Sequence, residues 1–185
     1  MLEELKKCLK SELKDRGIFD IVVYGSLVKN KENPNDIDIL VIFNEGNLKE
    51  RLNKIQSIKS KIKTKEKIDI KGILWQELFQ DEFFARSGIF LEGISIFTGK
   101  PFAERIDFNG FAIFVYNLTN KSHADKVKFN YVLSGRKSDG LIKGLEGKHP
   151  APGVIEIPIK NSLEFENVLK KNNISYFKKE VLIKR

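Results

Sequence analysis

The chain has 185 residues, of which 41% are hydrophobic and 31% are charged, and its formal net charge is +8. This composition excludes a disordered chain, and the longest apolar stretches are too short to cross a membrane. A single cysteine, Cys8, excludes an internal disulfide framework, and the charged start MLEELKKCLK lacks the apolar centre of a signal peptide. We therefore expect a cytoplasmic globular protein with no membrane partner, in which Cys8 is a packing residue.

The first part of the chain is predicted to alternate helices and strands. Leu2–Asp15 has the apolar spacing of a helix and is followed by Gly17, whereas Ile18–Tyr24 is a run of β-branched and aromatic residues. The turn-forming residues of KNKENPN separate that strand from the next one. The predicted strands are 18–24, 36–43, 67–74 and 94–98, and the predicted helices are 2–15, 47–65 and 76–86. The last of these helices is expected to face inward with Leu78, Phe79, Phe83 and Phe84.

The second part has a different order of elements. Phe111–Tyr116 and Ile174–Ile183 have the composition of strands, GKHPAPG at 147–153 is predicted to be a loop, and Ser162 is a candidate N-cap. The predicted strands are 111–116, 154–159 and 174–183, and the predicted helices are 121–133, 139–145 and 162–172. This order predicts a small α+β module.

The charge is distributed unevenly between these two parts. Residues 1–104 contain 18 Lys and Arg against 17 Asp and Glu, whereas residues 105–185 contain 15 against 8, so the net charges are +1 and +7. The stretch from Pro101 to Asn109 connects the two sets of predicted elements. We therefore predict a first domain of residues 1–104 and a basic module of residues 105–185.

Three aspartates lie inside predicted strands, where carboxylates are poorly tolerated unless something compensates them. Asp36 and Asp38 in DIDILVIF point to one face, because alternate residues of a strand share a face, while the isoleucines between them point into the core. Two such carboxylates raise each other's pKa unless a cation lies between them, and Mg²⁺ prefers hard oxygen ligands. Asp69 in KIDIKG repeats the pattern. If the two strands are neighbours, three carboxylates converge and can hold two metal ions for an in-line displacement at phosphorus.

The residues that follow the first strand fit a phosphate ligand. Gly25 allows a ligand to approach the backbone closely, and the N–H groups beyond it can cradle a phosphate. Ser26 adds a hydroxyl donor, and Lys29 is placed to reach a triphosphate.

The stretch VVYGSLVKNKENPNDIDILVIF resembles the signature of the polymerase-β-like nucleotidyltransferase superfamily: an apolar strand, Gly-Ser, a loop, and Asp-x-Asp between apolar residues. KIDIKG resembles the superfamily's third strand, and the compact arrangement most resembles the minimal nucleotidyltransferase branch. The resemblance covers about residues 15–100, and the basic module resembles no family that we recognise. Many members carry an arginine and a glycine just after Gly-Ser; this chain has LVKN there, so Lys29 supplies a charge without the bidentate fork of arginine.

The resemblance implies a mixed β-sheet flanked by helices and a Mg²⁺-dependent enzyme. Such an enzyme transfers a nucleoside monophosphate from a nucleoside triphosphate, here expected to be ATP, to a hydroxyl acceptor and releases pyrophosphate. By this resemblance Asp36 and Asp38 bind two Mg²⁺ ions, and Asp69 completes the second metal site and helps to deprotonate the acceptor. Gly25 and Ser26 hold the β- and γ-phosphates. The acceptor stays open among RNA, a protein hydroxyl and a small molecule.

The basic module is a candidate partner site for RNA. Phe129 and Tyr131 lie between basic residues and are expected to stack on bases, and the whole set carries the positive charge that phosphates require. The alternative is that the lysines keep a small domain soluble and the aromatic residues fill its core. The candidate nucleic-acid patch consists of Lys121, Lys126, Lys128, Arg136 and Lys137.

Other interpretations of the first domain also remain open. The strand acids can be exposed residues that follow the Asn33-Pro34 turn and have no function. A protein of this fold can also bind nucleotide or RNA without turnover, as a regulatory protein. A third possibility is an enzyme that modifies a small partner protein, as in the toxin–antitoxin pairs of minimal nucleotidyltransferases.

Overall fold

The structure, a computed structural model, describes residues 1–28, 36–80, 83–136 and 139–185. Within these residues, seven α-helices and two four-stranded sheets form the α+β fold that the sequence predicts. The chain divides into two compact units, Met1–Phe108 and Asn109–Arg185. No helix in the described part of the chain is long and apolar enough to cross a membrane.

The first unit contains a mixed sheet, as expected. Its strand order is β3-β2-β1-β4; β2 is parallel to β3, whereas β1 is antiparallel to both β2 and β4. The strands are β1 (Ile18–Tyr24), β2 (Asp36–Phe43), β3 (Lys67–Leu74) and β4 (Ile94–Ser95), and the helices are α1 (Leu2–Leu9), α2 (Leu48–Lys61), α3 (Arg86–Glu92) and α4 (Phe102–Arg105).

Helix α2 carries the chain from β2 to its parallel neighbour β3, since parallel strands need a crossover connection. It begins with a capping box: the Asn47 side chain accepts a hydrogen bond from the Glu50 N–H at 3.0 Å, and the Glu50 carboxylate accepts one from the Asn47 N–H at 2.8 Å. These bonds satisfy backbone donors that a helix otherwise leaves unpaired at its start. The crossover is therefore fixed where it leaves β2.

The sheet of the first unit is covered on both faces, which explains why its strands are almost continuously apolar. One face packs on α1 and α2, and its buried residues include Leu5, Leu9, Ile21, Val23, Ile37, Ile39, Val41 and Ile58. The opposite face, called here the α3 face, packs on α3, α4 and the preceding 3₁₀ turn, and its buried residues are Val22, Leu40, Ile42, Leu78, Ile89 and Phe102.

Two predicted helices of this unit differ in the structure. The first ends at Leu9 and continues as a 3₁₀ helix, Lys10–Lys14. The prediction of a helix at 76–86 is wrong: a 3₁₀ turn covers Trp75–Phe79, and α3 begins only at Arg86. Ring contacts between side chains anchor this segment instead of a helical face. Of the four side chains predicted to face inward, Leu78 is buried and Phe83 packs partly buried against the same core, whereas Phe79 and Phe84 are 54% and 92% exposed.

The second unit contains the other sheet, with the order β6-β7-β5-β8 and with β7 antiparallel to both β5 and β6. One face packs on helices, and the core contains Phe114 against Phe165 with ring centroids 4.9 Å apart. The strands are β5 (Phe108–Tyr116), β6 (Lys148–Ala151), β7 (Val154–Pro158) and β8 (Tyr176–Lys184), and the helices are α5 (His123–Ser134), α6 (Leu141–Gly144) and α7 (Ser162–Lys171).

Two local predictions for this unit are wrong. The segment GKHPAPG contains strand β6 as well as a turn. Pro150 is tolerated within β6 because this strand lies at the edge of the sheet. Ser162 is not the N-cap of α7; it is the first helical residue and is buried, and Asn161 precedes it without a side-chain capping bond. A 3₁₀ turn, Ile159–Asn161, leads the chain directly into the helix.

Candidate active site

The three strand aspartates occupy one face of the first sheet. In the parallel pairing of β2 with β3, Asp38 lies directly opposite Asp69. Asp36 precedes Asp38 by two residues, so alternation along the strand places it on the same face, opposite Lys67. This is the α3 face, because Leu40 and Ile42 continue the same alternation into its core. The strand register thus brings the three predicted residues together where β2 and β3 begin.

The three carboxylates differ in exposure. Asp36 and Asp38 are half-buried, whereas the Asp69 side chain is 50% exposed, and its Oδ2 lies 3.9 Å from Nζ of Lys71. Within the described ranges, no group of three or more His, Cys, Asp or Glu side chains forms a ready-made metal-binding cluster. The candidate site is therefore defined by strand register and a shared face.

Asp38 is the carboxylate with the least favourable surroundings. Burial raises the pKa of Asp38, the charges of Asp36 and Asp69 raise it further, and Lys71 opposes them only in part. Among the residues that the structure describes, none donates a hydrogen bond to this carboxylate. The ionised form of Asp38 is consequently stabilised by little in the protein itself, and an added cation would stabilise it strongly.

Gly25 packs directly against Asp38. It has a φ of +76°, which L-residues with a side chain rarely adopt, and a Cβ built on it would overlap the Oδ2 of Asp38. It begins the 3₁₀ turn Gly25–Leu27 that follows β1. Two independent constraints, backbone conformation and space, therefore require glycine at this position.

Ser26 links the turn to the start of β2. Its Oγ donates a hydrogen bond to the carbonyl oxygen of Asp36 at 3.3 Å, which is long for a hydroxyl donor. The hydroxyl therefore lies beside the carboxylates in a weak bond that it can exchange for another acceptor. Lys29, the third residue expected to contact phosphate, lies outside the described residues.

Tyr24 is a member of this site that the sequence analysis missed. It pairs with Asp38 across the β1–β2 ladder and so faces the same side of the sheet. Burial, together with the charges of Asp38 and Asp69, raises the pKa of Tyr24 to about 12. Its hydroxyl is therefore neutral and available as a donor at physiological pH. The only sequence signal was its alternation with the buried Val22, which also fits an ordinary strand end.

A separate cavity of about 290 Å³ lies at the other end of β1 and β2. Arg51 and Lys54 in its lining already form ion pairs, although the buried Nε of Arg51 has no hydrogen-bond partner in the described part of the chain. Arg51 Nη1 donates to Glu77 Oε2 at 2.9 Å. Lys54 Nζ lies 2.7 Å from Glu12 Oε2. We therefore place the candidate site at the carboxylates and not in this cavity, whose lining includes Asp15, Gly17, Ile18, Phe43, Arg51 and Lys54.

The predicted nucleic-acid patch of the second unit is only partly exposed. Lys128 and Arg136 are exposed, whereas Lys121 and Lys126 are half-buried. Lys137 lies outside the described residues. The expectation that Phe129 stacks on bases is wrong, because it is 5% exposed and packs edge-on against Tyr116 in the core.

Residues 1–90 of the chain match DUF6932, which is described as a family of unknown function. The matched range extends from α1 into α3 and so contains β2 and β3, the two strands that carry the three aspartates, and the Gly25–Leu27 turn. No curated protein matches the chain. The matched family therefore assigns no chemistry to these residues.

Proposed function

We propose that the first unit is a Mg²⁺-dependent nucleotidyltransferase. It transfers a nucleoside monophosphate from a nucleoside triphosphate, expected to be ATP, to a hydroxyl acceptor and releases pyrophosphate. One observation carries the proposal: Asp36, Asp38 and Asp69 share one face of the sheet, and a glycine turn packs against the central carboxylate.

The donor set fits Mg²⁺. It consists of carboxylate oxygens only, and the central one has no hydrogen-bond donor among the described residues. In this proposal Asp36 and Asp38 hold two ions, and Asp69 completes the coordination of the second. Bound Mg²⁺ would stabilise the negative charge on the phosphates and on the attacking and leaving oxygens.

The turn after β1 is suited to the triphosphate. Because Gly25 has no side chain, the β- and γ-phosphates can approach the backbone beside Asp38. Ser26 would exchange its weak bond to the Asp36 carbonyl for a bond from Oγ to a phosphate oxygen. Tyr24 adds a neutral hydroxyl donor on the same face without adding charge.

Asp69 is the candidate general base. It is the most exposed of the three carboxylates, so an acceptor hydroxyl can reach it from solvent. A carboxylate oxygen of Asp69 would accept the proton as the acceptor oxygen attacks the α-phosphorus. Nζ of Lys71 lies 3.9 Å from Oδ2 of Asp69.

The proposal is tested by offering α-³²P-labelled nucleoside triphosphates and Mg²⁺ to the protein together with cellular RNA or cellular protein. We expect label in one fraction, and we expect Asp38→Asn to remove it. The matched control is Asp107→Asn, the same chemical change at an exposed residue whose φ of 65° asparagine also tolerates. Mg²⁺-dependent nucleotide binding without labelled product would favour the non-catalytic regulatory protein.

A further inference from the structure

The second unit carries an excess of positive charge, and part of it lies on α5 and just beyond its end, at Lys126, Lys128 and Arg136. Residues 109–185 contain 14 Lys and Arg but only 7 Asp and Glu. Most of these acids are paired with lysines outside α5, and the Asp125 carboxylate accepts a hydrogen bond from the hydroxyl of Ser122, the N-cap of the helix. In the described part of the chain, no ion pair involves Lys126, Lys128 or Arg136. The pairs elsewhere are Lys143–Asp139 at 2.9 Å, Lys160–Glu146 at 2.7 Å, Lys170 and Lys178 with Glu166 at 2.6 and 3.3 Å, and Lys178–Glu180 at 2.9 Å.

An exposed aromatic ring lies among these cations. Tyr131 is 46% exposed, and the guanidinium of Arg136 lies 5.2 Å from the centroid of its ring. Lys128 precedes Tyr131 by three residues and therefore lies on the same side of the helix. Phe129 and Leu133 are buried and hold the opposite side of α5 in the core. Lys128, Tyr131 and Arg136 thus form one fixed surface, called here the α5 surface.

We propose that the α5 surface binds single-stranded nucleic acid, and that this strand is the acceptor of the transferase. The role of this strand as acceptor rests on the function proposed above, whereas its binding to the α5 surface does not. Lys128 and Arg136 would contact phosphates, and the ring of Tyr131 would stack on a base. No acid of the described unit forms an ion pair with Lys128 or Arg136, and the exposed ring of Tyr131 lies beside both.

A nucleic acid fits this surface better than an acidic peptide. An acidic peptide requires only the cations, so it gives no role to the exposed ring of Tyr131. A nucleobase always offers a π-face, and single-strand binding proteins combine basic surfaces with such rings. The arginine on the ring adds a planar cation that can also stack.

The test is fluorescence anisotropy of the full chain with a short fluorescein-labelled single-stranded RNA of mixed sequence, in EDTA and without nucleotide. Under these conditions the transfer site takes no part. Tyr131→Ala should weaken binding about 5- to 100-fold, and Tyr131→Phe should bind like the wild type. Lys128→Glu with Arg136→Glu should lower the salt slope by about 0.7 for each phosphate that the variant no longer neutralises. Circular dichroism confirms that each variant is folded.

The matched control is Lys143→Glu with Lys160→Glu, which changes the net charge equally at exposed positions of the same unit. An equal loss in this control would mean diffuse attraction and would overturn the proposal. So would an unchanged affinity of Tyr131→Ala, or an acidic peptide that competes as well as unlabelled RNA.

The two proposals fail in different ways. Asp38→Asn should bind RNA normally, because its substitution lies in the first unit. RNA binding that depends on the α5 surface, with no transfer of label by the wild type, would refute the transferase and leave the binding site intact. Transfer to protein alone would refute the assignment of RNA as acceptor.

Discussion

Asp20 and Asp38 lie on neighbouring strands and point to the same face of the sheet, but they differ in burial and in hydrogen bonding. Asp20 is fully buried, and it accepts hydrogen bonds from the Ile21 N–H at 2.7 Å, Ser95 Oγ at 2.9 Å and Arg105 Nε at 3.2 Å. Asp38 is only half-buried, and none of the described residues donates a hydrogen bond to it.

The charged groups around Asp20 and Asp38 also differ. Burial raises the pKa of both residues, but at Asp20 the hydrogen bonds and Arg105 oppose that shift. At Asp38 the two neighbouring carboxylates add to it. An acid that has its own donors is part of the fold, whereas an acid left beside other acids is suited to an external cation. The remaining experiments test this distinction.

The largest effect is expected on ligand binding. Asp38→Asn should weaken Mg²⁺-dependent binding of a nucleoside triphosphate by at least about 100-fold, because losing a ligand costs more than losing its outer partners. Asp20→Asn should leave that affinity unchanged. Isothermal titration calorimetry of both folded variants measures the difference. Equal losses would mean that the acids do not have separate roles.

Stability should show the reverse order. Asp20→Asn replaces an acceptor by an amide donor that faces the Arg105 and Ser95 donors, and it should lower the free energy of unfolding by about 2 kcal/mol. Asp38→Asn relieves repulsion and should not destabilise the protein. Urea denaturation checks both changes. Marked destabilisation by Asp38→Asn would show that the carboxylate is structural after all.

Gly25→Ala should moderately lower both the stability of the protein and its affinity for nucleotide. The positive φ alone costs about 1 kcal/mol for alanine, and its methyl group would displace the carboxylate of Asp38 from the turn. We expect lower stability and weaker nucleotide binding. Gly88→Ala is the control, since a Cβ there meets nothing and should stabilise α3 by up to about 1 kcal/mol. Normal nucleotide binding by Gly25→Ala would exclude the turn from the site.

The smallest effect concerns pH. The pKa of Asp38 is raised in the folded state, so the folded protein holds this proton more tightly than the unfolded chain. Without Mg²⁺, the wild type should therefore lose stability relative to Asp38→Asn as pH rises from 3.8, the ordinary pKa, through the raised value. Above that pH range the difference in the free energy of unfolding between the two proteins stays constant. Urea denaturation in EDTA at several pH values measures this difference. A difference that does not change with pH would contradict the raised pKa of Asp38.

The sequence alone predicted the bounds of β1, β2 and β3 correctly, because β-branched residues recur in each strand and turn-forming residues separate β1 from β2. It also placed Asp36 and Asp38 on one face, since alternation along a strand is a local property. It failed at 76–86, where the aromatic residues make ring contacts instead of forming a helical face. Local pattern was therefore sufficient for the strands and insufficient for the aromatic segment.

Contacts between distant positions could not be predicted from the sequence pattern. The salt bridge between Asp20 and Arg105 joins residues far apart in the sequence of the unit, and no local sequence pattern predicts it. The position of Tyr24 beside Asp38 depends on the pairing register of β1 with β2. The sequence therefore identified the acids but not the surroundings that separate a structural acid from a candidate ligand.

The parallel register of β2 and β3 makes the position of Asp69 hard to change. A slip of one residue would turn Asp69 into the core and turn Ile68 or Ile70, which pack there, out toward the carboxylates. Any misalignment of the acids would thus also expose core residues. The same alternation of polar and apolar residues along β3 therefore fixes the position of Asp69 and the packing of the core. Refolding experiments should accordingly recover Mg²⁺ affinity together with the parallel pairing of β2 and β3, because Asp69 lies opposite Asp38 only in that register.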